Sequence, residues 1–318
     1  MLWFKMRMWL LMAVMFSIVY AVLTMIGTLM GIQGYSFYIV LAIVMLFIQY
    51  MIGPKLVEWT MHVKYVNQNE RPELHRMVEE LSQKAGIPKP RIGIAQMAIP
   101  NAFAFGRWRS DGRICVTEGI MRLLNPEELR AVLGHEMTHL KNRDVLTITV
   151  LSVIPMILYR IFWSTVFSRG NNRRESSGNT FLIGMAAFIF YFITNLLVLY
   201  ASRTREYFAD RGSVELGNPP HALASALYKL VYGSARASKE SIKEVEGVRA
   251  FFINDPATAM NELRELKDLD KDHNGTIDQS ELMSLTSKII KVSFADKLME
   301  TFSTHPNMLK RIKQLSTY

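Results

Sequence analysis

The sequence predicts a mainly α-helical integral membrane protein whose polar part holds a small antiparallel or mixed β-sheet. Three observations predict it. Hydrophobic residues make up 50% of the 318 residues and mean hydropathy is +0.12, high for a purely soluble chain. Met8–Ile32 and Tyr35–Gly53 are apolar, uncharged and long enough to cross a bilayer. Between polar segments, short runs bounded by turn residues read as strands next to amphipathic helices.

In chain order, residues 1–53 form two transmembrane helices. The first run is too long for a signal-peptide core and lacks a small-residue cleavage site, so it reads as a retained anchor. Lys5 and Arg7 place its start inside, and only an uncharged turn around Gly31 and Gly34 lies on the far side. Lys55 and Lys64 then return the chain to the cytoplasmic face, where residues 54–144 form the first part of a polar domain. Within it Leu74, Met77, Val78, Leu81 and Ala85 recur at helical spacing, with Gly86 and Pro88 as the stop. Arg91–Ala95, Ala102–Phe105 and Arg113–Thr117 read as strands, and Ser110, Asp111 and Gly112 as a turn. Asn125, Pro126 and Glu128 mark a strong helix start, because cap, first-turn proline and carboxylate each satisfy or tolerate free amides.

Residues 145–202 form a second apolar pair, Val145–Phe167 and Thr180–Ala201, joined by Ser168–Asn179. Arg160 lies inside the first stretch, and Arg169, Arg173 and Arg174 lie in the loop, so the pair either spans or stays embedded. Residues 203–318 complete the polar domain. The net charge of +9 is spread beside apolar stretches rather than gathered in a basic stripe, which argues for a lipid surface and against nucleic acid. Cys115 is the sole cysteine, so any metal must use histidine and carboxylate ligands. No sequence feature sets an oligomeric state.

The capped helix carries HEMTH, His135–His139. Residues four apart share a helix face, so both imidazoles can aim at one zinc ion while Glu136 projects to the side as general base. A catalytic zinc site has three protein ligands and one open position. Glu206, just after the second apolar pair, is the best third ligand, because a hairpin would return it to the level of His135 and His139. Asp210, one turn further, is either an orienting partner of a ligand histidine or a plain solvated, helix-supporting carboxylate. The expectation is a zincin-type domain holding one zinc per chain and hydrolysing peptide bonds with Glu136 as the base. Two histidines in ordinary surface contacts are the bland alternative, which the cap and the placed glutamate oppose.

The chain also resembles the HtpX-type membrane metalloproteases, relatives of the CAAX-prenyl endopeptidases. The resemblance rests on the leading spans, NAFAFGR at Asn101–Arg107, LGHEMTHLKNRD at Leu133–Asp144, SRTREYFAD at Ser202–Asp210 and STHP at Ser303–Pro306. It implies a quality-control endoprotease of the plasma membrane that cuts damaged or misassembled membrane proteins at the cytoplasmic face, with zinc on His135, His139 and Glu206. It further implies that NAFA is a strand edge for an extended substrate, with Asn101 facing it. The resemblance also puts His305 near the transition state with Arg311 close behind it, ordinary surface residues being the alternative reading of both. The family usually has Thr where Phe105 stands and Pro where Asn307 stands.

Asp270–Glu281 reads DKDHNGTIDQSE and fits an EF-hand calcium loop, an apparent insert at about 258–295. Asp270, Asp272 and Asn274 offer side-chain oxygens, Thr276 its carbonyl, Asp278 a ligand through water and Glu281 a bidentate carboxylate, with Gly275 at the sharp turn. Met260, Leu263 and Leu266 before the loop, and Leu282, Leu285, Ile289 and Ile290 after it, suggest flanking helices. The competing readings are a catalytically silent membrane metal-binding or sensor protein, and a prenyl-protein endopeptidase, which would be expected to carry more spans.

Overall fold

The structure is a computed structural model that describes residues 47, 50–55, 57–167, 177–237, 252–253, 259–266, 269–286 and 300–318. The expected span Met8–Ile32 and all but the end of Tyr35–Gly53 lie outside the described residues; 50–55 and 57–60 are helical. The chain divides into two compact units, Ile52–Val145 with Arg203–Tyr318, and Met1–Met51 with Leu146–Ser202.

In the first unit, apolar residues on both faces of short segments favour a sheet covered on both sides. Strands β1 (Val63–Tyr65), β2 (Arg91–Ala95), β3 (Ala102–Phe105) and β4 (Arg113–Thr117) form one sheet in the order β1-β2-β4-β3. β2 and β4 are parallel, and the two edge strands pair antiparallel. The sheet is therefore mixed. The three strands read from the sequence keep the same bounds; β1 is additional, since Val-Lys-Tyr is too short for alternation to register.

One face presents Ile92, Ile94, Ile114 and Val116 to helices α1 (Pro72–Ala85), α2 (Glu118–Leu123), α3 (Pro126–Asn142) and α6 (Pro220–Ala235). Leu81, Val132, Leu133, Met137, Leu227 and Leu230 of these helices are fully buried there, each contributing about 1.5–3 kcal/mol by the usual transfer scale. The other face packs Phe103, Phe105 and Cys115 with Met61, Met97 and Phe252. α1 stops where expected, at Gly86 in the left-handed region with φ 67°. Three short helices complete the described part of the unit: α7 (Ala259–Leu266), α8 (Gln279–Ser284) and α9 (Met308–Leu315).

The second unit is built from α4 (Asp144–Phe167) and the first part of α5 (Ser177–Glu215). Leu151, Ile154 and Leu158 pack on Val198 and Ala201, while Phe181, Leu182, Phe188, Ile189 and Phe192 are exposed. An outward apolar surface of this kind suits lipid rather than water. Phe181–Glu215 is long and apolar enough to cross a membrane. α5 runs unbroken from Ser177 to Glu215, so the apolar stretch Thr180–Ala201 and the SRTREYFAD segment lie on one helix. Residues 168–176 of the connecting loop lie outside the described residues.

Candidate metal centre

α3 starts as its sequence demands. The Asn125 side chain accepts from Glu128 N–H at 2.9 Å, and Glu128 accepts from Asn125 N–H at 3.0 Å, with Pro126 in the first turn. Two glycines then allow α3 and the end of α5 to meet. A Cβ on Gly134 would lie 2.3 Å from Asn218 Nδ2, and one on Gly212 would lie 2.3 Å from Thr138 Cγ2. Ser213 Oγ donates to the Ala131 carbonyl at 2.6 Å across the same contact. This close approach brings Glu206 and Asp210 beside the two histidines of α3.

The Nε2 atoms of His135 and His139 are 3.1 Å apart. Glu206 places Oε2 3.5 Å from the first and Oε1 3.6 Å from the second. Tetrahedral ligands at zinc-like bond lengths of about 2.0–2.1 Å stand about 3.3 Å from one another, so the three donors fit a single ion. Each outer ring nitrogen lies close to a carboxylate. His135 Nδ1 lies 2.9 Å from Asp210 Oδ1, and His139 Nδ1 lies 2.6 Å from Asp144 Oδ2. Carboxylates in these places favour a proton on Nδ1, which would leave Nε2 as the atom each ring offers to an ion.

Charge at the cluster is arranged for a cation. Burial opposes the imidazolium of His135, yet Asp210 and Glu206 outweigh it and hold the group up to about 10. A metal ion held at this position would replace that proton on Nε2. Burial would raise the Glu206 carboxyl, but Arg311, His135 and His305 hold it well below the usual range. Arg311, wholly buried, donates from Nε and Nη2 to Asp210 at 2.8 and 2.7 Å and sets Nη1 3.2 Å from Glu206 Oε2. Among the described residues, no hydrogen bond of ordinary geometry reaches Glu206 Oε2 or either ring nitrogen of His305. Buried polar atoms of this kind beside the two imidazoles fit a site that would hold a cation.

Glu136 differs from Glu206 in role as well as place. One carboxylate oxygen falls within 4.8 Å of a ring nitrogen of each histidine, and the backbone of Ala104 on β3 favours its ionised form. Burial pushes its pKa up, against the pull of His139 and His135. A carboxylate that sits between a metal position and a strand edge, and holds a proton more readily than usual, can serve as general base.

The sequence pattern of peptidase family M48 matches residues 68–318. The chain belongs to peptidase family M48. The protease HtpX homolog of Methanothermobacter thermautotrophicus is 55% identical over 227 residues, covering 71% of this chain and 85% of that one. The protease HtpX homolog of Pyrococcus abyssi is 34% identical over 312 residues, covering 96% and 94%. The fold of this M48 peptidase is also similar to the crystal structure of S. mikatae Ste24p, with TM-score 0.53 and 14% identity over 98% of this chain and 67% of that one.

The structure of the M48 peptidase brings together His135, Glu136, His139, Glu206, Asp210, His305 and Arg311, with His305 Nδ1 3.8 Å from Glu206 Oε2. Asn101 is placed otherwise. It was expected to face substrate, but its side chain is fully buried and accepts from Ile253 N–H at 3.1 Å, so it anchors an inner segment instead. Phe105 belongs to the core, and Asn307 caps α9 by accepting from Lys310 N–H at 3.3 Å. Sequence reasoning missed Asp144 and Arg205, although both lie inside quoted motifs. The missing signal is conformational: Arg143 takes φ 56°, and that left-handed turn brings Asp144 back to His139.

In the second cluster Asp270, Asp272 and Glu281 bring carboxylate oxygens within 4.8 Å of one another. Asp270 accepts from Asn274 and Gly275 N–H, Asn274 Oδ1 from Thr276 N–H, and Asp278 caps α8 at Glu281 N–H. Gly275 has φ 81°, Ile277 is buried, and α7 and α8 flank the loop. Leu266, Leu282 and Leu285 are buried as expected, Met260 is exposed, and Ile289 and Ile290 lie outside the described residues.

Proposed function

We propose that the chain is a zinc-dependent membrane endopeptidase acting at the cytoplasmic face, with His135, His139 and Glu206 as metal ligands and Glu136 as general base. The observation that carries this reading is the convergence of two Nε2 atoms and one carboxylate at 3.1, 3.5 and 3.6 Å, with Glu136 alongside. When bound, zinc supplies a water of lowered pKa and Lewis-acid polarisation of the scissile carbonyl. Glu136 takes the proton of the attacking water and delivers it to the leaving amine nitrogen, so no covalent bond forms between enzyme and substrate. Its raised pKa suits a group that must hold the proton between those steps. The 3.8 Å separation of His305 Nδ1 from Glu206 Oε2 supports a role for His305 as donor to the developing oxyanion.

β3 is an edge strand, and an extended peptide pairing along it would pass Glu136. Peptide segments of damaged or misassembled membrane proteins meet that description. Glu136→Gln is expected to keep bound zinc while cleavage of a quenched-fluorescence peptide falls roughly a hundred- to ten-thousandfold. Undiminished cleavage by this variant would remove Glu136 from the mechanism.

A second reading concerns the Asp270–Glu281 loop, where three carboxylates and the left-handed Gly275 support calcium binding. Bound calcium would reorder α7 and α8, and through the chain that follows would shift His305 relative to the zinc ligands. At fixed zinc, calcium is expected to change the cleavage rate. Equal rates with calcium and with calcium chelated would leave the loop without a regulatory role.

A further inference from the structure

Asp144 is 95% buried, so its carboxylate needs partners, and it has two. Oδ2 lies 2.6 Å from His139 Nδ1, and Oδ1 lies 3.0 Å from Arg205 Nε. Arg205 directly precedes Glu206 on α5, while Asp144 opens α4 just after the α3 helix that carries His139. The arrangement parallels the one around His135, where Asp210 meets Nδ1 at 2.9 Å and Arg311 grips Asp210 at 2.7 Å. Each histidine thus faces a carboxylate, and each carboxylate faces an arginine. A carboxylate in the first turn of a helix is favourable for the helix alone. That simpler role does not require a 2.6 Å contact with an imidazole or an arginine supplied by another helix.

We propose that Asp144, held by Arg205, is the positioning residue of His139, fixing its Nδ1–H tautomer and ring direction and tying one metal ligand to the helix that carries another. The inference rests on the metal reading of the site. Outer-shell carboxylates of this kind typically change metal affinity 10- to 100-fold. Arg205 acts through Asp144, by neutralising it and restricting its rotamer.

The test uses the full-length protein in detergent, with zinc affinity measured by chelator competition and the cobalt(II) form followed by visible absorption. Asp144→Asn preserves a good helix start and nearly the same shape, yet removes the charge. It is expected to weaken zinc roughly 10- to 100-fold and to shift the cobalt bands, while the metal-free protein loses clearly less stability, from the Arg205 pair alone. Arg205→Met is expected to weaken zinc in the same direction, and Arg205→Lys to recover most of the loss. Wild-type affinity and spectrum in Asp144→Asn would overturn the proposal. So would an affinity loss matched by an equal fall in metal-free stability, which would assign Asp144 to the helix start. If His139→Ala binds zinc as the wild type does, it is the metal reading that fails, a result distinct from either of these.

Discussion

A single buried arginine decides much of the electrostatics. Arg311 compensates Glu206 and Asp210 at once and also donates to the Ile253 carbonyl at 3.1 Å, so two carboxylates can remain ionised in the interior. A similar logic governs Asp111 away from the metal. Burial opposes its ionisation, but Arg107 and Arg113 outweigh that and hold the carboxyl at about 2. An unfolded aspartate titrates near 3.9, so the contribution of Asp111 to stability is fully present above about pH 4 and is lost as pH falls toward about 2. Asp111→Asn is therefore expected to flatten the acid limb of the stability profile between those values. Denaturant melts across pH 2–5 check it, and parallel wild-type and variant curves would refute it.

Between elements, the contact that matters is α3 against the end of α5. Gly212 leaves room for Thr138, and a methyl there would collide at 2.3 Å. Gly212→Ala is expected to cost about 1–3 kcal/mol by overpacking and to lower zinc affinity, because the helices must part where Glu206 faces His135 and His139. Chelator competition and thermal melts of the same sample measure both effects; a variant unchanged in affinity would show that the centre tolerates separation. A different tie secures His305. One Arg203 nitrogen, Nη1, donates to the carbonyls of Glu300, Thr301 and Ser303 at 2.8, 3.0 and 2.8 Å, fixing the segment that leads to His305 next to the helix of Glu206.

For the whole molecule, the burial of Cys115 makes the sidedness of the polar unit measurable. Burial pushes this thiol far above the ordinary range and leaves it without exposed surface, so it will not react with bulky maleimides. A cysteine introduced at exposed Gln68, Gln68→Cys, is expected to take an impermeant maleimide only after cells are broken open. Labelling of intact cells would place the unit outside. Much else was legible in the residues themselves. The three strands, the stop at Gly86 and the Asn125 capping box follow from local chemistry, which acts over a few residues and leaves its mark in the order of side chains. His135, Glu136 and His139 were legible for the same reason, because a helix converts spacing of four into one face. Glu206 was reached by topology. The sequence by itself thus determined the candidate donors and the secondary structure that presents them. Tertiary structure alone decided that Asn101 turns inward, that Arg311 bridges two carboxylates, and that Asp144 with Arg205 backs His139. Those pairings join residues through a left-handed backbone turn and the close approach of two helices, neither of which is recorded in the spacing of side chains along one element.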